Sequence, residues 1–420
     1  MHLGKRSADV PQDRPEASTR YTWDRLVELA IAERVDFFLL TGDIIDEDNR
    51  YYESLVPMGQ GLSRLLEAGV EVLMVSGNHD YDVLRQLVRD TASEHVHLLG
   101  QDGRWEPMSM ARNGQVIEFL GWSFPSRHVR AGEMASPVSP GPGSGNLRIG
   151  LLHGDVGVED SLYNPVKIEQ LLAAGVDLWV LGHIHKPDTL HGENPLVFYP
   201  GSPHALSAKE SGVHGPVLLD IDASRNIRMK RIPLSPVRYE SLEVDVSGVE
   251  SEEAFRRRLM ESVREQLDLL EDELEAVAFL VLTITLRGSH ARTTDLLGWA
   301  GGMTEVEAIQ QRGSAMVSVR KVVSRLQALV EDLEALSKEN TPAGILANSI
   351  LALQQHESTP FVDAMLEDMD KELESLGYAR VYRPLSEAGM IVSLGEEEKR
   401  AMLMGECVKL LNELMRQKNA

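Results

Sequence analysis

One recurrence constrains this chain more than any other feature. Four times, a short apolar run ends in a loop that carries Asp, Asn or His, residue types able to ligate a metal. Phe37-Phe38-Leu39-Leu40 runs into Thr41-Gly42-Asp43, within TGDIID. Val70–Val75 runs into Ser76-Gly77-Asn78-His79-Asp80. Ile149-Gly150-Leu151-Leu152 runs into His153-Gly154-Asp155, and Leu178-Trp179-Val180-Leu181 into Gly182-His183-Ile184-His185. Apolar runs of this length, closed by Gly and polar residues, read as buried strands. Segments with helical apolar spacing, 22–35, 54–68 and 166–174, lie between them. The alternation predicts an α/β fold with helices packed on sheets.

In sheet-based α/β folds, ligands bind beyond the carboxyl ends of strands. The four loops are therefore expected to converge at one edge. Imidazole nitrogens with carboxylate and carboxamide oxygens suit manganese, iron or zinc. A single carboxylate can bridge two ions about 3.5–4 Å apart, the spacing that clamps a phosphoryl group. His183 and His185 alternate along an extended segment, so both can face the cluster. No motif decides alone. A Gly-Asp pair is ordinarily a turn, a lone buried histidine is ordinarily a satisfied core residue, and surface His pairs occur. The weight lies in all four occurring together, each at a strand exit.

The remaining sequence sets limits. The formal net charge is −23, which argues against simple non-specific nucleic-acid binding. Two routes around that limit exist: metal-binding carboxylates present a cation to the substrate, or a partner supplies basic surface. The one cysteine, Cys407, excludes an intramolecular disulfide and suits a reducing cytoplasm. No apolar run reaches the ~18 residues of a membrane span. Residues 131–146, rich in Pro, Gly and Ser, read as a surface loop. Short strands at 197–199, 217–221 and 227–232 follow His185, and Pro233–Pro236 mark a boundary. We expect three parts: 1–236 with the metal motifs, 237–325 as a small α/β capping domain, and 326–420 as helices over 326–338, 343–355, 361–376 and 396–417. The last helix carries an apolar stripe (Met402, Leu403, Val408, Leu411, Leu414) that must pack on the chain itself or on a partner.

TGDIID, SGNHD, LLHGD and GHIH resemble the motifs of the calcineurin-like metallophosphoesterase superfamily. YPGSPHALSAKESGVHGPVLLDID (199–222) and the order of domains resemble its SbcD/YhaO-like DNA-repair exonuclease group. The resemblance implies a β-sandwich flanked by helices, with the capping domain and a helical C-terminal region. It implies two divalent ions, manganese first, with iron or zinc as alternatives. His2, Asp43 and His185 would hold one ion; Asp43, Asn78, His153 and His183 the other, with Asp43 bridging. His79 would contact the scissile phosphate or protonate the leaving oxygen, and Asp80 would hold the His79 ring. Asp46 would orient its loop. In that group a further motif, Asp-x-His-Leu-Gly, ends the first strand. His2-Leu3-Gly4 supplies its rear half, so the resemblance places an Asp one position before Met1, and a first strand upstream of it. The chain as written would then hold one metal poorly.

The resemblance further implies DNA as substrate, an SMC-like coiled-coil ATPase as partner, a homodimer, and a cytoplasmic location without membrane attachment. The expected activity is exonucleolytic phosphodiester hydrolysis in DNA repair. The alternatives are a phosphodiesterase or phosphatase of small substrates, and an inactive truncated scaffold protein.

Overall fold

The computed structural model describes the chain except residues 47, 49–53, 136–145, 291–295, 297, 301–309, 313–314, 326, 329–332, 379–394 and 419–420. Most of the expected 131–146 loop lies outside the described residues. Contacts divide the chain into two compact units. The first comprises Met1–Leu242, Val263–Ile284 and Val306–Lys321; the second comprises Glu243–Ser262, Thr285–Glu305 and Val322–Ala420.

The first unit is a two-layer sandwich. Its smaller layer is a parallel sheet of β1 (Phe37–Thr41), β2 (Glu71–Val75) and β3 (Val96–Leu98), in that order. The larger layer has six strands: β4 (Glu106–Arg112), β5 (Gln115–Trp122), β6 (Leu147–His153), β7 (Leu178–Gly182), β8 (Asp188–His191) and β9 (Leu196–Tyr199). Their order is β4-β5-β6-β7-β9-β8. β5, β6, β7 and β9 are parallel, and the edge strands β4 and β8 are antiparallel to their neighbours. The β4–β5 hairpin is not among the sequence expectations. Its tight turn, Asn113-Gly114, places both residues at positive φ (50° and 75°), as a two-residue hairpin loop requires.

Between the layers lies a core that includes Leu73, Val75, Phe119, Ile149, Leu151, Val180 and Phe198. Near-continuous apolar strands are what a sheet covered on both faces demands. α1 (Thr19–Ala32) and α2 (Leu55–Glu67) pack on the outer face of the smaller sheet through Trp23, Leu26, Val27, Met58, Leu62 and Leu65. The i, i+3, i+4 spacing of these residues gives each helix one apolar face. The Ser18 side chain caps α1 by accepting from the Arg20 amide at 3.3 Å, which satisfies one of the orphan donors of the first turn. α3 (Val83–Thr91) adds Leu84 and Leu87 to this layer. α4 (Ile168–Leu172) covers the other outer face with Leu171 against Trp179 and Leu181. A hairpin of β10 (Val217–Ile221) and β11 (Ile227–Arg231) contributes Val217, Leu219 and Ile227 to the inter-layer core. Val237–Asp245, Phe279–Arg287, Ala315–Ser324 and Gln310–Arg312 form a four-stranded sheet in that order.

In the second unit, helices Pro342–Gln354, Pro360–Tyr378 and Glu396–Lys418 enclose Ile350, Leu353, Val362, Cys407 and Leu411. Much of the terminal stripe thus packs on its own chain: Leu411 is buried, Leu403 and Val408 are partly buried, and Met402 stays 56% exposed. The expected helix 326–338 is shorter in the structure. Gln327–Ala328 pairs with Ser289–His290, and helix covers only Leu333–Leu336. Residues 326 and 329–332 of that expectation lie outside the described residues. Among the described residues, no helix is long and apolar enough to cross a membrane.

Candidate metal centre

β1, β2, β6 and β7 are each parallel to their neighbours within their layers. Their carboxyl ends open at one end of the sandwich. Asp43 follows β1, Asn78 and His79 follow β2, His153 ends β6, and His183 and His185 follow β7. The two sheets are joined at this edge. The Thr41 carbonyl accepts from the Nδ1–H of His153 at 2.8 Å, and the Thr41 hydroxyl donates to the Leu181 carbonyl at 3.3 Å. Glycine makes the approach possible. A Cβ on Gly182 would fall on the Thr41 carbonyl oxygen, and one on Gly42, at φ +83°, would lie 2.5 Å from His153 Nδ1.

The structure brings these side chains together. His153 Nε2 lies 3.3 Å from Asp43 Oδ2 and 3.2 Å from Asn78 Oδ1. Ligand atoms of Asp43, His153 and His183 all fall within 4.8 Å of one another. On the other side of Asp43, His2 Nε2 lies 3.8 Å from Asp43 Oδ2 and 3.0 Å from His185 Nε2. Two nitrogens bound to one ion at about 2.1 Å and at a right angle to each other are about 3 Å apart, so this separation fits a shared cation. Asp43 itself sits at φ 51°, His2 at 54° and His183 at 100°. Left-handed backbone at non-glycine residues costs on the order of 1–3 kcal/mol each and gathers at functional sites.

His153, His185 and His183 each have one nitrogen engaged from behind. His153 Nδ1–H is held by Thr41, His185 Nδ1–H by Glu210 at 2.8 Å, and His183 Nε2 lies 3.4 Å from Asp155 Oδ2. His2 Nδ1 lies 3.4 Å from Asp46 Oδ1. A neutral imidazole with one N–H engaged presents its other nitrogen as a lone pair, the form a metal requires. The buried Nδ1 of His183 has no hydrogen-bond partner, consistent with a nitrogen aimed at a ligand. Burial pushes the His2 imidazole down to about 3, which keeps it neutral. Burial alone would raise the Asp43 carboxyl, but His153, His2 and His79 outweigh it and hold it well below the usual carboxylate range. Burial would lower His153; the Asp43 charge overcomes it and raises the imidazole.

A second convergence joins His2, Asp46 and His79. The Lys5 ammonium already lies 2.8 Å from Asp46 Oδ1, so this carboxylate is charge-neutralised. It serves as a support for the rings of His2 and His79, the latter 3.8 Å away.

The expectation for Asp80 is corrected. Adjacency in sequence puts it behind the His79 ring. In the structure it is fully buried, and its oxygens accept from the amides of Ile44 (2.7 Å) and Gly77 (2.8 Å). It thereby pins the Asp43 loop to the Asn78 loop, while the carboxylate ion-paired with the His79 ring is Asp46. Burial and the nearby Asp43 charge push the Asp80 carboxyl up to about 6. The His79 amide donates to Asp43 Oδ1 at 2.9 Å, and its side chain is 22% exposed. Its ring therefore sits at the rim while its backbone steadies the central carboxylate. Asp155 and Glu210 are not among the residues the sequence singles out. Asp155 is visible in HGD; Glu210 carries no local signal.

Two clusters of His, Asn and carboxylate side chains meeting at Asp43, at the strand ends of a two-layer α/β sandwich, make a candidate two-metal centre. Residues 8–187 match the family described as calcineurin-like phosphoesterase. Similar proteins include the uncharacterized metallophosphoesterase YhaO of Bacillus subtilis (strain 168), 30% identical over 240 residues, covering 56% of this chain and 57% of YhaO. The DNA double-strand break repair protein Mre11 of Methanopyrus kandleri is 25% identical over 283 residues, covering 62% of this chain and 60% of that protein. One component of the nuclease SbcCD of Rhodobacter capsulatus is 26% identical over 271 residues, covering 51% of this chain and 65% of that protein. The matched part thus spans about three fifths of the length of these relatives.

Proposed function

We propose that this protein is a metal-dependent DNA exonuclease of DNA repair that works with an SMC-like coiled-coil ATPase. The observation that carries the phosphodiester chemistry is the convergence of His2, His153 and His183 on Asp43, with His185 against His2. The choice of DNA rests on the similarity to Mre11 and to a component of the SbcCD nuclease.

In this reading His2, Asp43 and His185 hold one ion; Asp43, Asn78, His153 and His183 hold the other. Manganese is the first candidate, with iron or zinc behind it. The bound pair would supply Lewis acidity toward the phosphate and lower the pKa of water. The protein does the rest. Thr41, Asp155, Glu210 and Asp46 fix the ligand rings, so the site is shaped before substrate arrives. His79, at the rim, donates a proton to the leaving oxygen, and Asp46 supports its ring. The C-terminal helices offer exposed Met402 and Leu410 as an ATPase-docking face. A homodimer and a cytoplasmic setting belong to the same reading.

Purified protein supplied with Mn should release nucleotides from linear duplex DNA faster than it hydrolyses cyclic nucleotides or phosphomonoesters. Turnover of the small substrates alone would replace the DNA reading with a small-molecule phosphodiesterase. Two bound Mn ions without turnover of any substrate would point to a scaffold protein.

A further inference from the structure

Three of the four ring supports lie at the ends of β1 and β6: Thr41, Asp46 and Asp155. The fourth does not. His185 is held by Glu210, on the long connection between β9 and β10. Glu210 is itself rigidly set. It is 9% exposed, its amide donates to the Ser207 carbonyl at 2.8 Å, and its Oε2 accepts from the Leu206 amide at 2.8 Å. The same connection reaches His185 a second time, where the Ser202 amide donates to the His185 carbonyl at 2.8 Å. Ring and backbone of one residue are therefore gripped from one loop.

We propose that Glu210 is a positioning residue of the metal centre: its carboxylate fixes His185 as the Nδ1–H tautomer and aims the Nε2 lone pair at the ion shared with His2. This rests on the metal-centre reading above. A neutral imidazole carries one N–H. With that proton engaged by Glu210 Oε1, Nε2 is bare, and it faces His2 Nε2 at 3.0 Å. Without the carboxylate, the ring samples the Nε2–H tautomer, which has no lone pair to give at that position. A carboxylate behind a ligand imidazole also raises its basicity, and loss of such partners ordinarily weakens metal binding.

The test uses the full chain as wild type, Glu210→Ala and Glu210→Gln. Ring ¹⁵N spectra of metal-free protein report the tautomer, and Mn titration reports stoichiometry and affinity. In wild type the His185 ring should be protonated at Nδ1. Glu210→Ala should show mixed tautomers and a loss of about 10- to 100-fold in the affinity of one Mn ion, with the other unchanged. Glu210→Gln, which keeps one acceptor oxygen but no charge, should fall between. It carries the comparison if the alanine variant does not fold. An unchanged tautomer, or both Mn ions bound at wild-type affinity in Glu210→Ala, overturns the proposal. If wild type binds no Mn, the metal-centre reading fails instead, and the metal-free spectra still decide the tautomer.

Discussion

His2 and His185, 183 positions apart, bring their Nε2 atoms to 3.0 Å. Two imidazoles rarely meet nitrogen to nitrogen without a proton or a cation between them. Here each ring has a carboxylate at its other nitrogen, Asp46 for His2 and Glu210 for His185. Both Nε2 atoms therefore face the same point, where a cation accepting both lone pairs would be held.

Asp43 lies beside both ligand clusters, so its loss should be felt in both. Asp43→Ala is expected to reduce bound Mn to a small fraction of the wild-type content, measured by elemental analysis after desalting. Retention of the wild-type Mn content would show that Asp43 does not bridge.

His79 should separate chemistry from metal binding. His79→Ala is expected to lower kcat by about 10²- to 10⁴-fold, the usual worth of a positioned proton donor, with unchanged metal content. Steady-state kinetics on DNA with parallel metal analysis checks this; full activity would remove His79 from the mechanism.

His204 predicts a pH dependence of stability away from the metals. It is fully buried between Ser7 and Thr22, at 2.8 and 2.7 Å. The Ser7 hydroxyl donates to the Ala205 carbonyl, so its oxygen accepts from His204 Nε2, and Thr22 donates to Nδ1. Both contacts are satisfied by a neutral ring, and burial pushes the imidazole from 6.5 down to about 3. The folded value lies below the unfolded one, so the unfolded chain binds the extra proton. The stability contribution is complete above pH ~6.5 and is lost as pH falls toward 3, by up to ~1.4 kcal/mol per pH unit. Urea midpoints of chelator-treated protein from pH 7.5 to 4.5 should show this slope. His204→Gln should flatten it; an equal slope in the variant would assign the loss elsewhere.

Gly182 should not tolerate a methyl group. Gly182→Ala forces β7 away from the Thr41 carbonyl and is expected to cost on the order of 1–3 kcal/mol, read by urea unfolding. Because Thr41 also holds His153, Mn affinity should fall together with stability. A variant with native stability and affinity would contradict the close approach.

The ligand loops are legible in the sequence because each is announced locally, by an apolar run and then a Gly-polar turn. His79 and Asp80 show where adjacency misleads. Neighbours in sequence, they diverge because burial sends the Asp80 carboxylate to backbone amides while the His79 ring turns to the rim. Glu210 is not legible at all. Ala208-Lys209-Glu210-Ser211 reads as an ordinary polar surface turn, and only the tertiary return of that loop brings it to His185. The hairpin at Asn113-Gly114 is a different case: its turn is written in the sequence, but its strands end in no loop of His and Asp like those that mark the others.

The candidate ligands are divided between two sheets: Asp43 and Asn78 follow strands of one, His153, His183 and His185 strands of the other. What sets the gap between them is the filling of the sandwich, with Leu73, Val75, Phe119 and Leu151 among its members. The interior therefore works as a caliper, and its jaws are the two halves of the site. Enlarging or shaving one of these side chains changes the reach of Asp43 toward His153. In this protein a change deep in the sandwich can be read out as altered chemistry at its edge.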